Sequence, residues 1–261
     1  MTDMKITSLA ENVTSREDVG AEHGLSLFIE TEEHRILFDM GQTELFYTNA
    51  VKLGVDLSSV DLAVLSHGHY DHGGGLARFL EINEKAPVYM HRDAFLPHYN
   101  GTEKYIGLDT SLADERRIVF VEDEYRIDGN LTLFSCNGRE RDHITPDSGL
   151  TERVGEAFIP DDFRHEQYLL INEGARRLLI SGCSHKGILN IAEWFMPDVL
   201  VGGFHYSKLP CDSYLARAAR TLAAYPCEYY TCHCTGTEQY EYMKRYMPRL
   251  HYLACGETVD L

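Results

Sequence analysis

The sequence predicts an α/β fold in one continuous domain. Apolar runs of strand length alternate with amphipathic helix patterns along most of the chain, and no linker, low-complexity tract or repeat divides it. Polar punctuation rich in Gly, Ser and His follows several of the strand runs, where α/β sheets collect their functional residues.

Taken in order, residues 25–30, 35–39 and 61–66 read as short β-rich runs bounded by turn residues. Residues 43–53 and 76–84 carry helical spacing and good helix formers, while 88–90, 117–121 and 131–136 read as strands. The second half is plainer: strands 167–172 and 177–181, helix 187–195, strand 198–201, helix 213–224, strand 228–232 and helix 238–246. Between the halves, residues 137–164 have few apolar side chains, two prolines and many charges. They predict an irregular excursion, of the length that covers sites or stays disordered.

Composition narrows the function. The chain has 261 residues, 44% of them hydrophobic, enough for a substantial core. Its formal charge of −17 argues against a nucleic-acid partner, which would demand clustered Lys and Arg, and favours a small-molecule substrate. The acidity itself reads as solvated faces, such as residues 11–33 and Glu122-Asp123-Glu124. Seven cysteines with no Cys-x-x-Cys pair indicate reduced thiols rather than a disulfide framework or structural zinc knot. Residues 1–7 hold no apolar stretch of signal length and no segment approaches membrane-spanning length, so the expected location is cytoplasmic, with no membrane partner. Oligomeric state is left open.

The run His67-Gly68-His69-Tyr70-Asp71-His72 carries the chemistry. His67 and His69 alternate by two at a strand end, so both imidazoles can face one side. Asp71 and His72 follow as the chain turns into the next helix, with Gly73-Gly74-Gly75 relieving steric crowding. Four donors in six residues crowd one ion and fit two: one beside His67 and His69, the other beside Asp71 and His72. Imidazole and carboxylate ligands suit zinc first, with manganese or iron also compatible.

His-x-His-x-Asp-His after a strand resembles the signature of the metallo-β-lactamase superfamily. Glu22-His23-Gly24-Leu25-Ser26, Leu37-Phe38-Asp39-Met40-Gly41-Gln42, Ser181-Gly182-Cys183-Ser184-His185, Gly202-Gly203-Phe204-His205 and His233-Cys234-Thr235-Gly236 resemble one branch of it. That branch holds uncharacterised metal-dependent hydrolases and the archaeal dihydropterin-methyl-ribofuranosylaminobenzene 5′-phosphate synthases. The resemblance covers nearly the whole chain and implies a four-layer αβ/βα sandwich with metals at one edge of two sheets.

It also implies that distant histidines complete the ligand shells. His233 matches the family's last ligand and would join Asp71 and His72; His185 is the candidate to join His67 and His69. The family's bridging Asp normally follows a Gly at a strand end, but here Gly182 is followed by Cys183, which could bridge, bind one ion or pack. Asp39 is read as orienting a ligand histidine or capping the loop. His205 is read as a proton donor, a substrate contact or a hydrogen-bonded neighbour. His165 or Glu166 could be an unexpected ligand, and Cys232 and Cys234 are read as packing around His233.

The expected activity is attack by a metal-bound hydroxide on a small ester, lactone or phosphate ester, with Asp71 positioning the nucleophile and His205 protonating the leaving group. One alternative is a transferase condensing a pterin-methyl diphosphate with an aminobenzene ribotide, for which Lys104, Arg139, Arg141 and Lys186 are the basic residues at hand. A second is a non-catalytic metal-binding module. Di-iron oxygen chemistry would need a carboxylate bridge and a flavin domain, and this chain has neither. Substrate choice is expected to rest on residues 99–114 and 137–164, where Tyr99, Tyr105, Arg139 and Arg141 otherwise face solvent.

Overall fold

The computed structural model of the protein describes residues 4–261, so the first three residues of the N-terminal stretch read above lie outside it. The chain groups into two compact units. One comprises the residues up to Glu122 together with Asp147–Gln167 and Ala254–Leu261; the other comprises Asp123–Pro146 and Tyr168–Leu253.

The first unit is built on a seven-stranded sheet in the order Thr258–Asp260, Lys5–Ala10, Ser26–Glu30, Arg35–Phe38, Leu62–Val64, Val88–His91 and Ile118–Val121. Pairing is antiparallel as far as Arg35–Phe38 and parallel beyond it. The parallel strand Leu62–Val64 is buried along its whole length, which is why it reads as a short unbroken apolar run instead of alternating. Helices Leu45–Leu53 and Leu76–Ile82 place Phe46, Ala50, Leu76 and Phe79 in one core with Leu37, Val88 and Met90 of the sheet. The first of these helices stops at Gly54, whose φ of 72° lets its N–H turn back to the carbonyls of Ala50 and Val51.

A second, four-stranded sheet in this unit corrects the expectation for residues 137–164. Leu150–Val154 and Ala157–Pro160 form a hairpin, and Leu150–Val154 also pairs with His98–Asn100, which pairs with Lys104–Tyr105. The hairpin was illegible because neither strand has a buried face: no residue of Leu150–Val154 or Ala157–Pro160 is buried, so the period-two signal is missing.

The other unit has its own seven-stranded sheet, ordered Leu250–Tyr252, Glu228–Thr231, Val199–Gly202, Arg176–Ile180, Tyr168–Glu173, Leu131–Phe134 and Glu124–Arg126. The first four are mutually parallel. Helix Ser213–Ala223 buries Leu215, Ala216, Ala218, Ala219 and Leu222, a stripe at three- and four-residue spacing, and Asp212 caps it by accepting from the Tyr214 N–H at 2.8 Å. With Ile188–Phe195 and Thr237–Lys244 it encloses a core containing Leu179, Ile191, Leu200, Tyr229 and Met243. Truncating a fully buried member such as Leu222 to Ala removes about 2–5 kcal/mol.

In both units the loops at the carboxyl ends of parallel strands carry the residues singled out above: Asp39 after Arg35–Phe38 and His67 after Leu62–Val64 in one, and Cys183, His205 and His233 after Arg176–Ile180, Val199–Gly202 and Glu228–Thr231 in the other. No disulfide joins any of the seven cysteines. Among the described residues no helix is long and apolar enough to cross a membrane.

Candidate metal centre

The six-residue motif begins three residues beyond Leu62–Val64, on a buried hydrogen-bond scaffold. Asp39 Oδ1 accepts the Ser66 N–H at 2.7 Å and Asp39 Oδ2 accepts the Ser66 hydroxyl at 2.7 Å. Because that hydroxyl spends its proton on Asp39, it meets His67 Nδ1 at 2.8 Å as an acceptor, and His67 carries its proton at Nδ1. His72 Nδ1 lies 2.6 Å from Asp39 Oδ2, which fixes the same tautomer. Both imidazoles therefore offer Nε2 lone pairs to a cation, and Asp39, Ser66, His67 and His72 are all fully buried. Burial opposes charge on His72, but Asp39 outweighs it and raises the His72 pKa.

Two of the sequence motifs meet beside this scaffold. Glu22 Oε1 accepts from the Gln42 N–H at 2.9 Å, and the Ser26 hydroxyl donates to the Asp39 carbonyl at 2.8 Å. Asp39 itself sits at φ 59°, a left-handed conformation that Asp tolerates better than most residues.

Asp71 approaches the surface, its side chain 13% exposed, with Oδ2 3.1 Å from His23 Nε2. The Asn12 amide donates to His23 Nδ1 at 3.3 Å, so the His23 proton is at Nε2, directed at Asp71. Sequence reasoning quoted His23 within a motif and gave it no role. Its separation of 48 positions from Asp71 hid the contact.

His69 packs edge-on to His67 with ring centroids 4.5 Å apart. Burial first, and then the neighbouring His165, push its pKa well below the ordinary value, so it stays neutral. The Gly68 position between the two motif histidines excludes any side chain, because a Cβ would stand 2.1 Å from the Ala94 carbonyl oxygen. His69, His98, Asp161 and His165 bring donor atoms within 4.8 Å of one another. His98 and Asp161 were not anticipated, and His165 was anticipated only as a stray ligand. Burial opposes the charged form of Asp161, yet hydrogen bonds from His165 and His98 outweigh it and hold the carboxyl well below the usual range.

In the second unit the loop residues Cys183, His185 and His233 are buried and His205 is half-buried. The His185 and His205 rings are 4.3 Å apart. Ser184, His205 and His233 have φ of 61°, 56° and 46°, a left-handed conformation costly for side-chain-bearing residues and concentrated here at strand ends. Cys234 does more than pack: its Sγ accepts the His205 N–H at 3.2 Å and donates to the Cys183 carbonyl at 3.5 Å. Of the four basic residues noted above, Lys186 is fully buried and donates to the Ser135 carbonyl at 2.6 Å, while Arg139 binds the Trp194 carbonyl at 3.0 Å. Arg141 is exposed, and so is Lys104, whose ammonium stands 3.1 Å from the hydroxyl of the motif's Tyr70.

The description of the metallo-β-lactamase superfamily matches residues 19–220. The chain belongs to that superfamily. An uncharacterised protein of Methanocaldococcus jannaschii is 33% identical over 227 residues, covering 83% of this chain and 85% of its own. The 7,8-dihydropterin-6-methyl-4-(β-D-ribofuranosyl)-aminobenzene-5′-phosphate synthase of the same organism is 28% identical, covering 98% of this chain and 96% of its own. The crystal structure of Tm1679, a metal-dependent hydrolase of the β-lactamase superfamily, aligns over 99% of both chains at 30% identity with a TM-score of 0.84. The expected α/β metallo-β-lactamase fold and the expected branch are both borne out. The donor set of the motif, three buried histidines and one carboxylate, fits the divalent ions this fold implies.

Proposed function

We propose that this protein is a hydrolase that uses two divalent ions, zinc in the first instance with manganese or iron compatible, to cleave a small ester, lactone or phosphate ester in the cytoplasm. The observation that carries the reading is the tautomer lock on His67 and His72, which pre-orients two buried Nε2 lone pairs. Such orientation is characteristic of metal-binding imidazoles. The family's ligand pattern implies that His67, His69 and His185 would hold one ion, and Asp71, His72 and His233 the other.

When bound, such ions would supply the lowered pKa of water and the polarisation of the oxygen under attack. Asp71, reached by the His23 Nε2–H, orients the incoming water and can hold its proton at a carboxylate oxygen. His205 delivers a proton to the leaving group from its ring; its backbone is anchored by Cys234. Cys183 stands where the family's bridging Asp normally follows the Gly, and if it supplied a thiolate to a bound ion it would favour zinc or iron over manganese. The charge of −17 keeps nucleic acids off the list of substrates.

A second reading, the pterin-methyl diphosphate transferase, is favoured by the synthase relative that spans 98% of this chain. In it bound ions would supply the charge that stabilises the diphosphate leaving group, and Lys104, beside Tyr70 of the motif, is an exposed cation suited to the substrate's negative charge.

A zinc-loaded sample screened against phosphomonoester, phosphodiester, lactone and thioester substrates separates the readings. Turnover of one class, lost in His67→Ala and Asp71→Asn, is the expected result. Diphosphate release that requires an arylamine, with no hydrolysis of any class, would replace the hydrolase reading with the transferase.

A further inference from the structure

Three buried residues outside the motif, His98, Asp161 and His165, form a connected set that reaches its backbone through His165. The Gly68 N–H, in the peptide that joins His67 to Gly68, donates to His165 Nδ1 at 2.9 Å. A neutral imidazole that accepts at Nδ1 carries its proton at Nε2. His165 Nε2 lies 3.3 Å from Asp161 Oδ2, an atom that can only accept from it. Asp161 is in turn fixed by His98 Nδ1 at 2.9 Å and by the Phe163 N–H, which reaches Oδ1 at 2.7 Å. His98 is set from its other nitrogen by the Asp93 carbonyl at 3.3 Å. The chain of contacts thus runs from Asp93 through His98, Asp161 and His165 to the first of the two peptides that join His67 to His69.

That peptide has little freedom. A Cβ at Gly68 would stand 2.1 Å from the Ala94 carbonyl oxygen, so the backbone is wedged against Ala94 and tied to His165. We propose that His165, oriented by Asp161, is a positioning residue that sets the His67-Gly68-His69 peptide and thereby the angle at which both imidazoles meet a metal ion. The proposal rests on the reading that His67 and His69 bind metal. The same geometry disfavours a further cation among His69, His98, Asp161 and His165, close as their donors are, because His165 Nε2 points a proton at Asp161 where a ligand would need a lone pair.

Cobalt(II) binding to the full chain, read by affinity and by the visible spectrum, tests it without reference to turnover. His165→Asn places an amide oxygen near the Nδ1 position, so it keeps an acceptor for the Gly68 N–H. His165→Gln reaches instead towards the Nε2 position and loses that acceptor. His165→Asn is expected to keep cobalt affinity within about threefold and the parent spectrum, whereas His165→Gln loses about 10–100-fold and shifts the spectrum. Equal behaviour of the two variants, whether both like the parent or both impaired, overturns the proposal. Nitrogen-15 NMR of the metal-free parent adds a readout that no substitution can confound: the Nε2–H tautomer of His165 is expected, and an Nδ1–H tautomer overturns the assignment. A third equivalent of cobalt, lost in Asp161→Asn, would also overturn it. Turnover by the parent, measured separately, decides the hydrolase reading alone.

Discussion

His72 Nδ1 and Asp39 Oδ2 stand 2.6 Å apart in a fully buried setting, and that one carboxylate also accepts both the N–H and the hydroxyl of Ser66. A single side chain thereby fixes the tautomers of two motif histidines. Asp39→Asn keeps a residue suited to the φ of 59° but removes the charge and half of the acceptor capacity. Its metal affinity is expected to fall about 10–100-fold by isothermal titration, with about 1–3 kcal/mol of stability lost because a buried donor is left without an acceptor. Asp39→Ala should lose as much affinity and about 1–2 kcal/mol of stability besides, from left-handed strain. Parent-like affinity in both variants would show that Asp39 does not orient the site.

Gly68 and Gly54 form a matched comparison. At Gly68 a methyl group meets the Ala94 carbonyl oxygen at 2.1 Å, whereas at Gly54 it meets nothing within 4 Å and only the φ of 72° is strained. Gly68→Ala is expected to cost about 1–3 kcal/mol and to weaken metal binding, since the backbone between His67 and His69 must move. Gly54→Ala should cost about 1 kcal/mol with metal binding intact. Chemical denaturation and metal titration on the same samples check both, and equal metal affinity in the two variants would contradict the assignment.

His205→Asn isolates the proton donor. Asn accepts the φ of 56° and leaves the backbone N–H free to bond Cys234, so the loop is retained. Turnover of the substrate class found by screening is expected to drop about 10²–10⁴-fold with metal content unchanged. Loss of an equivalent of metal from this variant would make His205 a ligand instead.

Two buried thiols predict alkaline sensitivity. Burial pushes the Cys227 thiol up to about 12, and burial with the nearby Glu11 charge pushes Cys255 up to about 12, from an ordinary value near 9. The unfolded chain releases these protons near the ordinary value and the folded chain does not. Their contribution is therefore complete below pH 9 and is lost as pH rises towards about 12. The urea midpoint should fall across that window, and less steeply in Cys227→Ala/Cys255→Ala. Parallel declines in parent and variant would assign the sensitivity to other groups.

Where a segment packs on a core, its sequence announced it. Residues 213–224 were expected as a helix because the buried stripe repeats at helical spacing, and Ser213–Ala223 forms it; the run at 61–66 was recognisable because Leu62–Val64 is buried throughout. The hairpin of Leu150–Val154 and Ala157–Pro160 buries neither face and left no period to read. At the site, the motif stood out because its four donors are contiguous. The residues that orient it lie far off in sequence: Asn12 fixes His23, which reaches Asp71, and Asp161 fixes His165, which accepts from Gly68. Left-handed backbone at Ser184, His205 and His233 was also unreadable, since none is glycine and only the packed loops impose it.

Elemental metal analysis combined with turnover, before chelation, after chelation and after restoring the ions, tests the central claim most directly. The account predicts two equivalents of a divalent metal per chain, with activity lost on their removal and recovered on their return. A metal-free sample that turns over substrate at the full rate would contradict it.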